Sequence, residues 1–176
     1  MLFSQKGFFA TSISDIVRET GMTVGTIYTY FKSKNEIVRV IVEEGWQELY
    51  GRIEKELAGA AGPEEQVKIL IDRIIPGILT DVELVNILLS EAVTYTRLEE
   101  KVEQLTDLLH RLVQNHLGRR APATYNRATL RTALVVIFLG IMSTVRVART
   151  SSLGISDHDV IAFVKTLARE SLGMDL

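Results

Sequence analysis

The chain has 176 residues, 47% hydrophobic and 24% charged, with a formal net charge of −2 and no cysteine. That length suits one domain or a small module attached to a larger one, the balance is globular rather than disordered, and the lack of thiols excludes disulfide and thiolate chemistry. The longest strongly apolar run, Ala133 to Met142, falls short of the ~20 residues that cross a bilayer, and no signal-peptide pattern is visible, so a cytoplasmic protein is expected.

Charge is uneven along the chain. Residues 1–39 hold five cations (Lys6, Arg18, Lys32, Lys34, Arg39) against three anions (Asp15, Glu19, Glu36), which puts the front end at +2 and the remainder at −4. The local sign, more than the total, governs contact with nucleic acid.

Leu2 and Phe3 have the look of the last apolar residues of a helix, with Gly7 as its terminator; the body of that helix is absent from the sequence. Thr11 or Ser12 can cap the next helix, and Ser12 with Asp15 matches a capping box. Ile13, Ile16 and Val17 give it an apolar stripe, and Gly21 ends it. Thr23 caps a second short helix that runs to about Phe31. Two short helices about a glycine-containing turn form a helix-turn-helix. Ser33 and Glu36 then predict a boxed start for one long helix, which lasts until "AGAAGP" at 58–63. Further helices are expected at about 64–79, with Pro76 kinking or ending it, and at about 81–95, 98–117, 124–149 and 157–172. The fold class is therefore all-α.

A helix turns 100° per residue, so Ile27 and Phe31 share one face of the second short helix, the core side. Gly25, Thr26 and Thr29 project away from it, with Tyr28 and Tyr30 to either side. Small residues at the centre suit a helix that enters a major groove, the threonines offering hydroxyls or methyls to base edges and the tyrosine hydroxyls reaching phosphates. The N–H groups at Thr11 and Ser12 and the cation of Lys34 add anion-binding capacity. Tyrosines that merely rim a small core are the bland alternative. The full order of cap, helix, glycine turn, threonine cap, paired tyrosines and lysine weighs against it.

That order resembles the TetR family of bacterial transcriptional regulators. The matching stretch is "KGFFATSISDIVRETGMTVGTIYTYFKSKNEIV", Lys6 to Val38, where Gly7, Phe8, Thr11, Ile16, Gly21, Gly25, Thr26, Tyr28, Phe31 and Lys34 fall at the expected places. The resemblance covers about a fifth of the chain. It implies a homodimer with an N-terminal DNA-binding domain over residues 1–40 and a larger helical domain for ligand binding and dimerisation over 41–176. It implies base or groove contacts from Val24, Gly25, Thr26, Tyr28 and Thr29, and phosphate contacts from Thr11, Thr23, Tyr30 and Lys34. Two departures stand out. Val24 occupies a place often held by a polar residue, and by rotation it lies near Phe31 and is expected to be partly buried. The first helix of the pattern is represented only by "LFSQKG".

The helix at 124–149 is apolar around its circumference between Leu130 and Val145 and needs cover on more than one side. Leu134, Phe138 and Ile141, with Val160, Val164 and Leu167 of the last helix, are the expected dimer interface in a four-helix arrangement. Asn86, Glu91, Thr94, Tyr95 and His110 are polar residues on or beside apolar helices and are candidate pocket residues for a hydrophobic or amphipathic ligand. His110 and His116 lie on different helix faces, so no metal site is expected. No phosphate loop, nucleophile elbow or carboxylate pair is present either, so neither an enzyme nor a cofactor is expected. The reading is a ligand-responsive regulator, a repressor released from a palindromic operator on double-stranded DNA. The alternative is a dimeric ligand-binding or protein-interaction module that has lost DNA binding with its first helix.

Overall fold

The computed structural model describes residues 2–80, 97–123, 125–150 and 152–172, and these are helical with no strand among them. In chain order the helices are α1 (Leu2–Lys6), α2 (Ile13–Thr20), α3 (Val24–Tyr30), α4 (Lys34–Ala58), α5 (Pro63–Ile69), α6 (Ile75–Thr80), α7 (Leu98–Leu117), α8 (Arg127–Thr150) and α9 (Asp157–Leu172). The helix expected at 81–95 lies outside the described residues. The chain divides into two compact units, the first holding Met1–Gly51 and the second Arg52–Thr80 with Glu99–Leu176.

The first unit is punctuated as its sequence dictates. Gly7 adopts a left-handed φ of +79° and returns its N–H to the Phe3 carbonyl, ending α1. Ser12 caps α2: its Oγ accepts the Asp15 N–H at 3.1 Å while Asp15 accepts the Ser12 N–H at 3.0 Å. Gly21, at φ +70°, ends α2 against the Val17 carbonyl, and Thr23 caps α3 by accepting the Thr26 N–H at 3.1 Å. The start of α4 differs from the expected box. Ser33 Oγ accepts the Glu36 N–H at 3.2 Å, but the Glu36 carboxylate reaches one residue further back, to the Lys32 N–H at 2.6 Å.

Among the described residues two apolar clusters hold this unit. Ile16, Ile27 and Ile37 bring α2, α3 and α4 together, with Ile13, Val17 and Phe31 around them. Phe8, Val38 and Val42, with Phe3, form the second. Burying side chains of this size stabilises the unit by roughly 1.5–3 kcal/mol each, so so small a fold depends on every one of them.

In the second unit Pro76 does not end its helix, one of the two outcomes the sequence suggests. A five-residue π segment, Leu70–Ile74, joins α5 to α6, with the Ile75 N–H donating to Leu70 O. The wider turn makes room for a ring that would otherwise press on the carbonyl four residues back, and the chain continues helical through the proline. Asp72, within that segment, takes Lys165 at 2.8 Å and Arg169 at 2.6 Å, which clips α9 to it. The start of α9 repeats the first unit's device: Ser156 accepts the Asp159 N–H and Asp159 accepts that of Ser156 at 2.8 Å.

Candidate nucleic-acid interface

α3 is seven residues long and only Ile27 on it is buried, which is the anchor expected from the 100° rotation. The rest of its surface is open. Tyr28 is 51% and Tyr30 70% exposed, and neither hydroxyl has a hydrogen-bond partner among the described residues. An exposed phenol with a free hydroxyl is poised for a polar partner rather than for packing.

Val24 corrects an expectation. It is 48% exposed rather than tucked beside Phe31.

The threonines are more constrained than their composition suggests. Thr26 Oγ1 lies 2.8 Å from Thr23 Oγ1, and Thr29 Oγ1 donates to the Gly25 carbonyl at 2.9 Å. With that proton engaged in its own helix, Thr29 has its methyl and acceptor lone pairs left to offer, not a donor. Gly25 carries a different message. A Cβ built there would meet nothing nearer than Thr23 Oγ1 at 3.8 Å, so the fold itself would accept alanine. What glycine provides at this point is room outside the protein.

Two residues expected on phosphates bond to carbonyls of the chain's own backbone. Thr11 is wholly buried, and its hydroxyl donates to Gly7 O at 2.7 Å; it closes the loop before α2, and Ser12 is the cap. Lys34 Nζ donates to the carbonyls of Phe8 and Thr11, both at 2.8 Å, and lies 4.4 Å from the centre of the Phe8 ring.

Electrostatics narrow the +2 count further. Lys6 and Arg18 both sit on Asp15, at 2.9 and 2.5 Å, and Arg39 faces Glu36 at 3.6 Å. The Ser12 backbone N–H, then Lys6 and the Ser12 hydroxyl, hold the Asp15 carboxyl far below the usual carboxylate range. Lys32 is exposed, and its ammonium has no carboxylate partner among the described residues. The sequence count treated all five cations alike. Only the pairing in space singles out Lys32.

The second unit's candidates distribute differently. His110 is half-buried on α7, whereas Asn86, Glu91, Thr94 and Tyr95 lie outside the described residues. A cavity of about 360 Å³ is bordered by Glu54, Leu57, Gln66, Leu108, Arg111 and Leu112; His110 is not on its wall. Of the expected interface residues, Val160 and Val164 are buried within the chain itself, Leu134, Phe138 and Ile141 are half-buried, and Leu167 is exposed. The apolar surface that α8 and α9 turn outward is carried by Val136 (63%), Leu139 (57%) and Phe163 (68%) as well as Leu167. A stripe read on one helix does not say which neighbour covers each side of it. No helix among the described residues is long and apolar enough to cross a membrane.

The model of a family described as bacterial regulatory proteins, tetR family, matches residues 1–41. The HTH-type transcriptional regulator YfiR of Bacillus subtilis is 39% identical over 54 residues, 31% of this chain and 26% of that protein. The HTH-type transcriptional repressor KstR2 of Mycolicibacterium smegmatis is 32% identical over 66 residues, 38% of this chain and 32% of that protein. The aligned stretch thus spans a third or less of these relatives. Among solved structures, the transcriptional regulator FadR from Bacillus subtilis, in complex with stearoyl-CoA, superposes with a TM-score of 0.73 at 17% identity, over 97% of this chain and 91% of that one. At that identity the likeness concerns the fold. The front end of this chain, residues 1–41, with its capped helices and glycine turn, is thus similar to the tetR family of bacterial regulatory proteins.

Proposed function

We propose that the chain is a dimeric, ligand-responsive repressor of transcription that reads a palindromic DNA operator through α3. The observation that carries this reading is the outer face of α3: open space over Gly25, small threonines beside it, and the free hydroxyls of Tyr28 and Tyr30 on its flanks. That shape admits the edge of a base pair at the centre and phosphates at the margins. Val24, Gly25, Thr26, Tyr28 and Thr29 are the groove-facing set, and Thr23 and Tyr30 stand nearest the groove walls. Pairing through the outward apolar surface of α8 and α9 would set two heads on successive major grooves, about one helical turn apart or a multiple of it. A ligand that favours another spacing releases the operator by population shift.

The mixed wall of the second unit's cavity, leucines beside Glu54, Gln66 and Arg111, favours an amphipathic effector, and the stearoyl-CoA complex of the FadR structure makes a long-chain acyl thioester the first compound to try. Stearoyl-CoA added to a complex of the chain with its selected duplex is expected to dissociate it in a saturable manner, with free coenzyme A inert. Binding that is indifferent to stearoyl-CoA, palmitoyl-CoA and their free acids would sink the acyl assignment and leave the DNA reading standing.

A further inference from the structure

Lys34 is the first residue of α4, where a cation meets the positive end of the helix dipole. The placement is unfavourable unless something outside the helix offsets it. Two backbone carbonyls, Phe8 O and Thr11 O, do so at 2.8 Å each, and the face of the Phe8 ring lies 4.4 Å away. Two of the three ammonium donors are thereby engaged within the protein.

The segment that Lys34 grips is the connection between α1 and α2. It starts at the left-handed Gly7, and Thr11 closes it from inside by donating to Gly7 O. Ser12, the cap of α2, follows at once, and α2 in turn packs on α3 through Ile16 and Ile27. Fixing residues 8–11 to the head of α4 therefore fixes where α2 begins, and with it the support under α3. Two residues upstream, Lys32 projects into solvent with no carboxylate partner among the described residues.

We propose that Lys34 is a positioning residue that locks the α1–α2 connection onto α4, and that Lys32, not Lys34, supplies the phosphate-neutralising charge of this head. The Lys32 half rests on the DNA-binding reading above; the lock does not.

Two measurements on Lys34→Met, Lys34→Arg and Lys32→Ala test this. The first is amide hydrogen exchange over residues 8–12 without DNA. Exchange is expected to be about tenfold faster in Lys34→Met, as loss of a charge-assisted bond implies, and unchanged in Lys32→Ala. Unchanged exchange in Lys34→Met overturns the lock. Should that variant fail to fold, Lys34→Arg is read instead, since a planar fork cannot reproduce both carbonyl contacts over the same ring.

The second is affinity for a mixed-sequence duplex across salt concentrations. Lys34→Met should give a line parallel to wild type and displaced about tenfold, with Lys34→Arg no better, while Lys32→Ala flattens the slope by about 0.9. A flattened slope in Lys34→Met that arginine restores overturns the proposal and makes Lys34 a phosphate ligand. A wild-type chain that ignores DNA at every salt overturns the Lys32 half together with the reading it rests on, and the exchange rates then decide the lock alone.

Discussion

The two units expose apolar surface of different kinds. On α3 the large exposed side chains are mainly tyrosines, whose rings end in hydroxyls. On α8 and α9 they are Val135, Val136, Ile137, Leu139, Val147, Phe163 and Leu167, which have no polar atom to offer. A phenol at a surface can lie against a hydrated, anionic partner and still satisfy its hydroxyl. An aliphatic face gains only by exclusion of water and calls for another apolar face. The first unit thus suits a hydrated partner and the second a dry one.

The largest expected effect breaks the dry side. Val136→Glu with Leu139→Glu should weaken self-association at least about thirtyfold, because two carboxylates would be stranded in an apolar contact. Sedimentation of the double variant at micromolar concentration checks it, with a folded monomer expected. A dimer that survives both charges would move the interface elsewhere.

Gly25→Ala sharpens the wet side, because its two consequences carry opposite signs. Alanine has free space within the fold and should stabilise α3 by about 0.5–1 kcal/mol. The same methyl group would fill the room left for a base pair, and operator affinity should fall by about tenfold or more. A thermal melt that rises with affinity that drops is the expected pair of results. Affinity that rises with the melt would show that α3 does not approach its partner closely.

The smallest effect lies in Asp15. Its folded pKa is depressed, so the carboxylate's contribution to stability is present above the ordinary carboxylate range and is lost as pH falls through that range towards the folded value. Asp15→Asn should therefore melt lower than wild type at pH 7, and the gap should close as the pH is taken from about 5 to 2. A gap that stays constant over that range would remove the charge from the explanation of the α2 cap.

How much of this was legible depends on range. The caps at Ser12 and Thr23 and the turns at Gly7 and Gly21 involve partners within four residues, and the sequence shows them directly. Ile27 as the anchor of α3 follows from periodicity alone. The partners of Thr11 and Lys34 are not legible, because they are backbone carbonyls, which any sequence possesses and no sequence locates. Lys34 reaches across 23 and 26 positions to find them. Val24 is more exposed than its rotation suggests. In the second unit Val160 and Val164 face inward although they share a stripe with the exposed Leu167 and lie beside the exposed Phe163. A helix with apolar residues on several sides cannot declare which side stays at home.

The central claim is that α3 reads a symmetric DNA site. Selection of duplexes from a random-sequence pool by this chain, at moderate salt, tests it most directly. Enrichment of a palindrome whose half-sites are centred about one helical turn apart, or a multiple of it, is the predicted result. A chain that sediments as a folded dimer and enriches no sequence would contradict the account.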